Sequence, residues 1–516
     1  MYGAKNYIAD TKGDAVLELG NAVQMSGVTS YTNSYAIESY LATASYIYNE
    51  KYGLSANYRA DGSSRFAKGH RWGHFGSVGA MWMFTDEGFI KNNVDWLKNG
   101  KLRLSWGVLG NQGISSYLYA DRYAIDNVDG NVGYIWAGKG NPDLTWERSQ
   151  QVDLGLELTF DKYVDMELDY FYKYTDDMLM PRFVNPSLGY SYYYINGGSM
   201  SNQGIEIQLN IHAVNERNVQ LDIRLNGSHY ANKVLSLPDY IDTETEMIMS
   251  GSLAVGHSPY EYLMTEYAGV DPETGQAQYV AYYDANLGNF GTSSSANVLQ
   301  LNGRTGDNYI SNVYEYRERF KETADIKTQI VSGRESAYAG ADYIGKSAIP
   351  DFAGGFGFNL NVYGVTLDVT CSYGFGGYGY DNTYASLMSS DKIGKSNWHV
   401  DMRGAWNELM TPEQKASATV PRLSNGADLY ANMGSTRFLT SNTFLSLNNI
   451  RLGYSFPKKL IEKIKMKSLS LYLSADNLAV ASARKGYNPM SSYTGSSDSY
   501  QYTPLSTIMG GIKFQF

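Results

Sequence analysis

Gln151-Val-Asp-Leu-Gly-Leu-Glu-Leu-Thr-Phe160 and, after Asp161-Lys162, Tyr163-Val-Asp-Met-Glu-Leu-Asp-Tyr-Phe-Tyr-Lys-Tyr-Thr175 decide the fold. Val152, Leu154, Leu156, Leu158 and Phe160 fall on one side; Gln151, Asp153, Gly155, Glu157 and Thr159 fall on the other. In the second run Val164, Met166, Leu168, Tyr170, Tyr172 and Tyr174 oppose Asp165, Glu167, Asp169 and Lys173. A period of two is the mark of a strand with unlike surroundings on its two faces. Strands of soluble sheets usually run about 5–6 residues, whereas a tilted strand needs about 9–11 to cross a hydrocarbon layer. These runs reach the longer class, and an Asp-Lys pair suffices to turn one into the next.

The same alternation recurs outward in both directions. Lys101–Val108, Ile205–His212, Val219–Asn226, Phe356–Val362, Val365–Tyr373, Ile450–Phe456, Leu469–Ala475 and Ile508–Phe516 repeat it. About thirteen strands are expected, near 34–48, 50–60, 73–85, 100–110, 146–160, 163–176, 199–213, 218–232, 351–362, 365–375, 441–456, 467–477 and 504–516. Short turns at Asn49-Glu50, Asp161-Lys162, Asn215–Asn218 and Tyr363-Gly364 alternate with long polar loops at 61–72, 111–145, 177–198, 233–350, 376–440 and 478–503. The links 86–99 and 457–466 read as short helices, the second with Pro457 at its start. Long loops at one end and short turns at the other are the pattern of an outer-membrane barrel. Tyr46, Tyr48, Tyr52, Trp146, Tyr170, Tyr172, Tyr174, Tyr454 and Phe456 gather at strand ends, where an interfacial girdle is expected.

Composition excludes the rival classes. The chain has 516 residues with 53 Gly, 46 Tyr and 1 Cys, so neither a disulfide scaffold nor a multi-cysteine metal site is available. A net charge of −10 argues against a broad nucleic-acid surface. No run approaches the ~18 apolar residues of a membrane helix, and alternating barrel strands keep mean hydropathy low anyway. Residues 1–10 lack the basic start and apolar core of a signal peptide, while Gly511–Phe516 closes as an alternating strand with a terminal aromatic. Such ends are expected of a fragment, or of a mature piece whose targeting segment lies elsewhere. Parity points the same way. In a meander of thirteen strands the first and last run parallel, whereas bacterial barrels close with an even, antiparallel set. Further strands from another polypeptide or segment are therefore expected.

Several motifs together resemble a family. They are Tyr58-Arg-Ala-Asp-Gly-Ser-Ser-Arg-Phe66, Gly73–Trp82, Lys101-Leu-Arg-Leu-Ser-Trp-Gly107 with Gly110-Asn111, and Asn141-Pro-Asp-Leu-Thr-Trp-Glu147. Asn196–Glu206, Gly269-Val-Asp-Pro-Glu-Thr-Gly275, Leu447–Pro457 and Asn477-Leu478 follow in order. This series resembles the SusC/RagA-like TonB-dependent transporters of Bacteroidota. The resemblance implies a 22-stranded barrel filled by a plug, of which this chain supplies strands ten to twenty-two. Residues 1–33 are then an N-terminal loop or partial strand, and 34–516 the C-terminal barrel portion with large extracellular loops 111–145, 233–350 and 376–440. Neither a plug nor the first barrel strands are read in these residues, so a chain or segment carrying them is an implied partner. Also implied are a SusD-like lipoprotein over the loops, TonB–ExbB–ExbD acting indirectly, outer-membrane lipid, and import of oligosaccharides or peptides. Two alternatives stand beside this reading: a scaffold subunit of an outer-membrane assembly machine, and a soluble surface adhesin.

Motifs for other chemistry are weak. Gly340–Ser347 fits the phosphate-loop pattern, but Pro350 opposes the helix that must follow it. His70 and His74 are four apart outside any helical stretch, and His212, His229, His257 and His399 are scattered. Asp271-Pro-Glu-Thr-Gly275 lacks the ligand spacing of a calcium loop and reads as a turn. No triad or carboxylate pair can be assembled, so neither an enzyme, a cofactor nor a metal is expected. Loop aromatics are the remaining candidates for binding: Tyr190, Tyr192, Tyr193 and Tyr194 in one loop, and Tyr378, Tyr380, Trp398 and Trp406 in another. Such rings either stack on sugars or clamp peptide through area plus a polar tip, or pack the loops against each other and a lid.

Overall fold

The computed structural model describes residues 2–4, 30–32, 34–128, 131–184, 186–238, 249–250, 253–289, 309–321, 323–389, 397–423, 430–491 and 504–516. Most of the expected segment 1–33 lies outside these residues. Thirteen strands form one sheet. They are β1 (Ile37–Tyr48), β2 (Tyr52–Ser63), β3 (Trp72–Met83), β4 (Leu97–Asn111), β5 (Glu147–Phe160), β6 (Val164–Asp176) and β7 (Ser199–Asn215). Then come β8 (Val219–Ser236), β9 (Phe352–Val362), β10 (Val365–Phe375), β11 (Phe444–Ser455), β12 (Ser468–Ser482) and β13 (Thr507–Gln515). Every neighbour in space is the neighbour in sequence, and every pair is antiparallel. The protein is all-β, with a wall that meanders up and down. Among the described residues β1 pairs only with β2, and β13 only with β12, so the sheet has two free edges.

The turns follow from backbone sterics. Asn49 and Glu50 have φ of 53° and 57°, the mirror-image turn that matches the twist of a hairpin. Tyr363 and Gly364, at 50° and 89°, make the same turn between β9 and β10. The links predicted as helical contain Gly88–Lys91 and Lys458–Ile461, the latter capped by Pro457.

Register carries the apolar face across the whole sheet. Leu104 lies opposite Leu154, Leu154 opposite Tyr170, and Tyr170 opposite Ile205. Leu209, Leu225, Phe356 and Cys371 form a second row, and Leu360, Leu367, Leu452 and Leu473 a third. Among the described residues no second protein layer covers this face: Leu104 is 51% exposed and Leu473 54%. An apolar surface far larger than the few hundred Å² of ordinary soluble proteins requires a hydrocarbon solvent.

The other face is charged. Lys101 Nζ lies 3.1 Å from Glu157, Arg103 Nη2 lies 2.6 Å from Glu167 and 3.0 Å from Asp169, and Arg224 lies 2.9 Å from Asp368. Ser105 donates to Asp153 at 3.1 Å. The alternation read from the sequence thus becomes a wall with one lipid face and one water face.

Folded cores sit at the long-loop end. Phe66, Phe75, Val108, Ile114, Leu118, Leu144 and Trp146 make one cluster. Trp146 belongs to it, 5% exposed, with its indole donating to the Arg71 carbonyl at 2.8 Å. This corrects its expected place in the lipid girdle: loops close over the start of β5 and bury the ring. Tyr46, Tyr48 and Tyr52 remain exposed at the short-turn end, and Tyr170 on the lipid face of β6.

Candidate functional site

Three loops meet above β8–β13 and fold into one cap. The β8–β9 loop contains a meander of Tyr267–Val270, Ala277–Asp284 and Ile326–Ser332. Asp271–Gly275 makes its first turn. Asp271 accepts from the Glu273 N–H at 2.9 Å and the Thr274 hydroxyl at 2.6 Å, and Gly275 takes φ of 71°. The turn reading of this motif therefore fits its geometry. Burial pushes the Asp271 carboxyl up, but those hydrogen bonds outweigh it and hold the group below its ordinary range. Gly340–Ser347 is no phosphate cradle, because Ala341–Ser347 is a strand paired with Glu261–Thr265.

Side chains lock this loop onto the β10–β11 loop. Trp406 donates to the Pro272 carbonyl at 3.0 Å, and the Arg422 N–H to the Gly275 carbonyl at 2.8 Å. The Tyr279 hydroxyl donates to the Tyr430 carbonyl at 2.6 Å, and Tyr262 to the Tyr378 carbonyl at 3.0 Å. A Cβ on Gly275 would lie 2.3 Å from the Trp406 ring, so glycine is required there by contact as well as by backbone angle. The β12–β13 loop joins through Arg484. Its guanidinium sits 3.4 Å from the centre of the Tyr384 ring, donates to Thr440 at 2.8 Å, and lies 3.3 Å from the buried Asp381 carboxylate. Tyr384 in turn donates to Asp401 at 2.8 Å.

The sequence candidates separate on this frame. Tyr380 and Trp398 pack against Met388, Met402, Ala405, Val420 and Phe438. Trp406 is also buried, beneath Lys415 at 5.0 Å. Tyr378 lies under Lys346 Nζ at 4.4 Å. The other four belong elsewhere, on a hairpin of Leu179–Phe183 and Tyr192–Asn196. Tyr194 packs on the Phe66–Trp146 cluster. Tyr192 is exposed and stands 5.8 Å from Phe183, while Tyr190 meets Tyr193 edge-on at 6.2 Å. His70 and His74 do not converge: His74 bonds the Tyr58 hydroxyl at 2.8 Å, and His70 faces Asp143 at 4.0 Å.

Tyr262, Tyr384 and Arg484, together with Arg437 stacked 5.5 Å over the Tyr267 ring, organise the cap, and no local sequence pattern marks them. Tyr262 and Tyr384 are pushed up to about 12, the first by burial and the second by burial and its bond to Asp401. Both therefore stay protonated and act as hydrogen-bond donors.

A sheet with one hydrocarbon face, one charged face and a folded cap over its long-loop end defines the wall of an outer-membrane barrel. The family model described as "TonB dependent receptor-like, beta-barrel" matches residues 4–325, and the chain belongs to that family, which sits in the outer membrane. It is 28% identical over 500 residues to TonB-dependent receptor P39 of Formosa agariphila, covering 94% of this chain and 46% of that one. To TonB-dependent receptor SusC of Bacteroides thetaiotaomicron it is 24% identical over 503 residues, covering 95% and 44%. The chain thus spans about half the length of the curated relatives it matches. The solved structure of the RagAB peptide transporter superposes with a TM-score of 0.76 at 22% identity, covering 98% of this chain and 50% of that one, which shows the fold.

Proposed function

We propose that this chain forms the C-terminal wall and external cap of a TonB-dependent importer of large nutrients, oligosaccharides or peptides. The observation that carries this reading is the two-faced sheet: an apolar face continuous in register from β1 to β13 backs a charged, water-facing one. A barrel wall satisfies its backbone within the sheet, and unpaired edge groups in lipid cost several kcal/mol each. The free edges of β1 and β13 therefore call for further strands, on a segment that would also carry the plug, with residues 34–516 as strands ten to twenty-two. A SusD-like lipoprotein over the cap and TonB–ExbB–ExbD below complete the proposed machine. Tyr190, Tyr192, Tyr193 and Tyr378 are the proposed substrate contacts, and Tyr194, Tyr380, Trp398 and Trp406 hold the loops that present them. No step of this function asks for an enzyme active site or a cofactor.

Deletion of the gene tests the proposal. Loss of growth on one polymeric nutrient, with intact growth on its monomer, is expected. A general envelope defect on every nutrient would instead favour a scaffold role.

A further inference from the structure

The lipid face carries a groove at its outer end. Ala42, Ala44, Ala56, Gly76 and Val78 supply lining of low relief, while Tyr58, His74, Trp106 and Arg148 stand around it, enclosing about 540 Å³. A second hollow of about 520 Å³ shares Ala44, Ala56, Val78 and Trp106 and continues past Leu54, Ala80 and Leu104. From His74 to Ala80 the path runs along one strand, roughly 20 Å at the rise of extended chain, somewhat more than half the thickness of a hydrocarbon core. The outer end lies at an aromatic band: Tyr40 stacks on Trp72 at 5.9 Å, and Tyr58 on His74 at 6.2 Å. Such rings mark the headgroup level.

Arg148 is the unusual member. It has the parity of Val152 and Leu154, hence of the lipid face, and it is exposed. Among the described residues no carboxylate lies within ion-pair distance of it. Asp176 is its cross-strand neighbour, yet one oxygen of that carboxylate is buried without a hydrogen-bond partner. A cation on a hydrocarbon-facing surface costs free energy unless an anion meets it. Its planar fork of donors matches a phosphate.

We propose that this groove holds one acyl chain of an anionic outer-leaflet lipid, with the lipid's phosphate on Arg148. Small side chains give the chain a seat, Trp106 and Tyr58 flank it, and the aromatic band sets the depth of the headgroup.

The test uses the complete complex extracted from cells in mild detergent and examined by native mass spectrometry. Two synthetic lipids with the same saturated chains are added, one with a glycerophosphate headgroup and one with an uncharged glucosyl headgroup. The intact protein should retain the phosphate lipid about fivefold better, the effect of one basic contact at a charged membrane surface. Arg148→Ala should bring the two lipids level, and Arg148→Lys should restore part of the preference. Ala56→Phe, which fills the groove and keeps the charge, should reduce retention of both. Equal retention by the intact protein, a preference that survives Arg148→Ala, or retention unchanged in Ala56→Phe would each overturn the proposal. If Arg148→Ala fails to assemble, Arg148→Gln and Ala56→Phe decide it.

Discussion

The wall and the cap of this molecule solve opposite problems with the same residue types. In the wall, Leu54, Leu104, Leu154 and Leu452 point outward with no protein over them. In the cap, Phe438, Tyr279, Ile310 and Val313 are buried almost completely. One region is built for hydrocarbon outside and water inside, the other for water outside and a packed core. Exposure of an apolar side chain is therefore a liability only relative to the solvent it meets.

Replacing residues across this divide should sort them. Phe438→Ala in the cap removes a fully buried ring and should cost about 3–5 kcal/mol locally. Faster hydrogen exchange across 376–443, with the wall strands unchanged, is the expected result. Leu154→Lys and Leu209→Lys place a charge against lipid, at a cost of about 2–4 kcal/mol near the midplane. Both should weaken the folded band in heat-modifiability gels, whereas Asp153→Lys on the water face should alter it far less. Equal behaviour of the two classes would remove the assignment of faces.

Arg484→Ala comes next. It takes away the cation over Tyr384 and leaves Asp381 buried with less compensation, for a loss of about 1–3 kcal/mol. Exchange should rise in the β12–β13 loop while β12 and β13 keep their protection. The smallest effect is a pH dependence. Tyr262 and Tyr384 ionise near 10 when unfolded and are pushed up to about 12 in the cap. Their contribution is complete below the unfolded value and fades as pH rises from 10 towards 12. Tyrosinate absorbance and loop proteolysis should rise together in that window, and Tyr384→Phe should weaken the link between them.

The contrast also explains what was legible in the sequence. Lipid on one side and water on the other enforce a period of two, so all thirteen wall strands appear in the alternation. Their ends slipped where the period breaks. β8 runs to Ser236 and β12 to Ser482, beyond the expected 232 and 477. Register shifts between Ser199 and Met200, opposite the end of β8, and between Leu447 and Asn449, opposite 476–479 of β12, change parity near such points. Asn477, at φ of 52°, marks the same break on β12. The cap was opaque for a physical reason. Trp406 is buried there against Pro272 and Gly275, and in the Phe66 cluster Trp146 is buried against Phe66 and Phe75; these partners lie far away in sequence, which no local pattern records. A hairpin at 267–284 is half legible: Asp271–Gly275 reads as its turn, while the alternation of Ala277, Tyr279 and Ala281 is too short to stand out inside a long loop.

One scan tests the two-faced wall most directly. With Cys371 replaced by Ala, single cysteines placed in turn from Val152 to Phe160 can carry a nitroxide whose accessibility to oxygen and to a polar paramagnetic agent is measured in the membrane. Oxygen should dominate at 152, 154, 156, 158 and 160, and the polar agent at 153, 155, 157 and 159. A profile without that alternation would contradict the account.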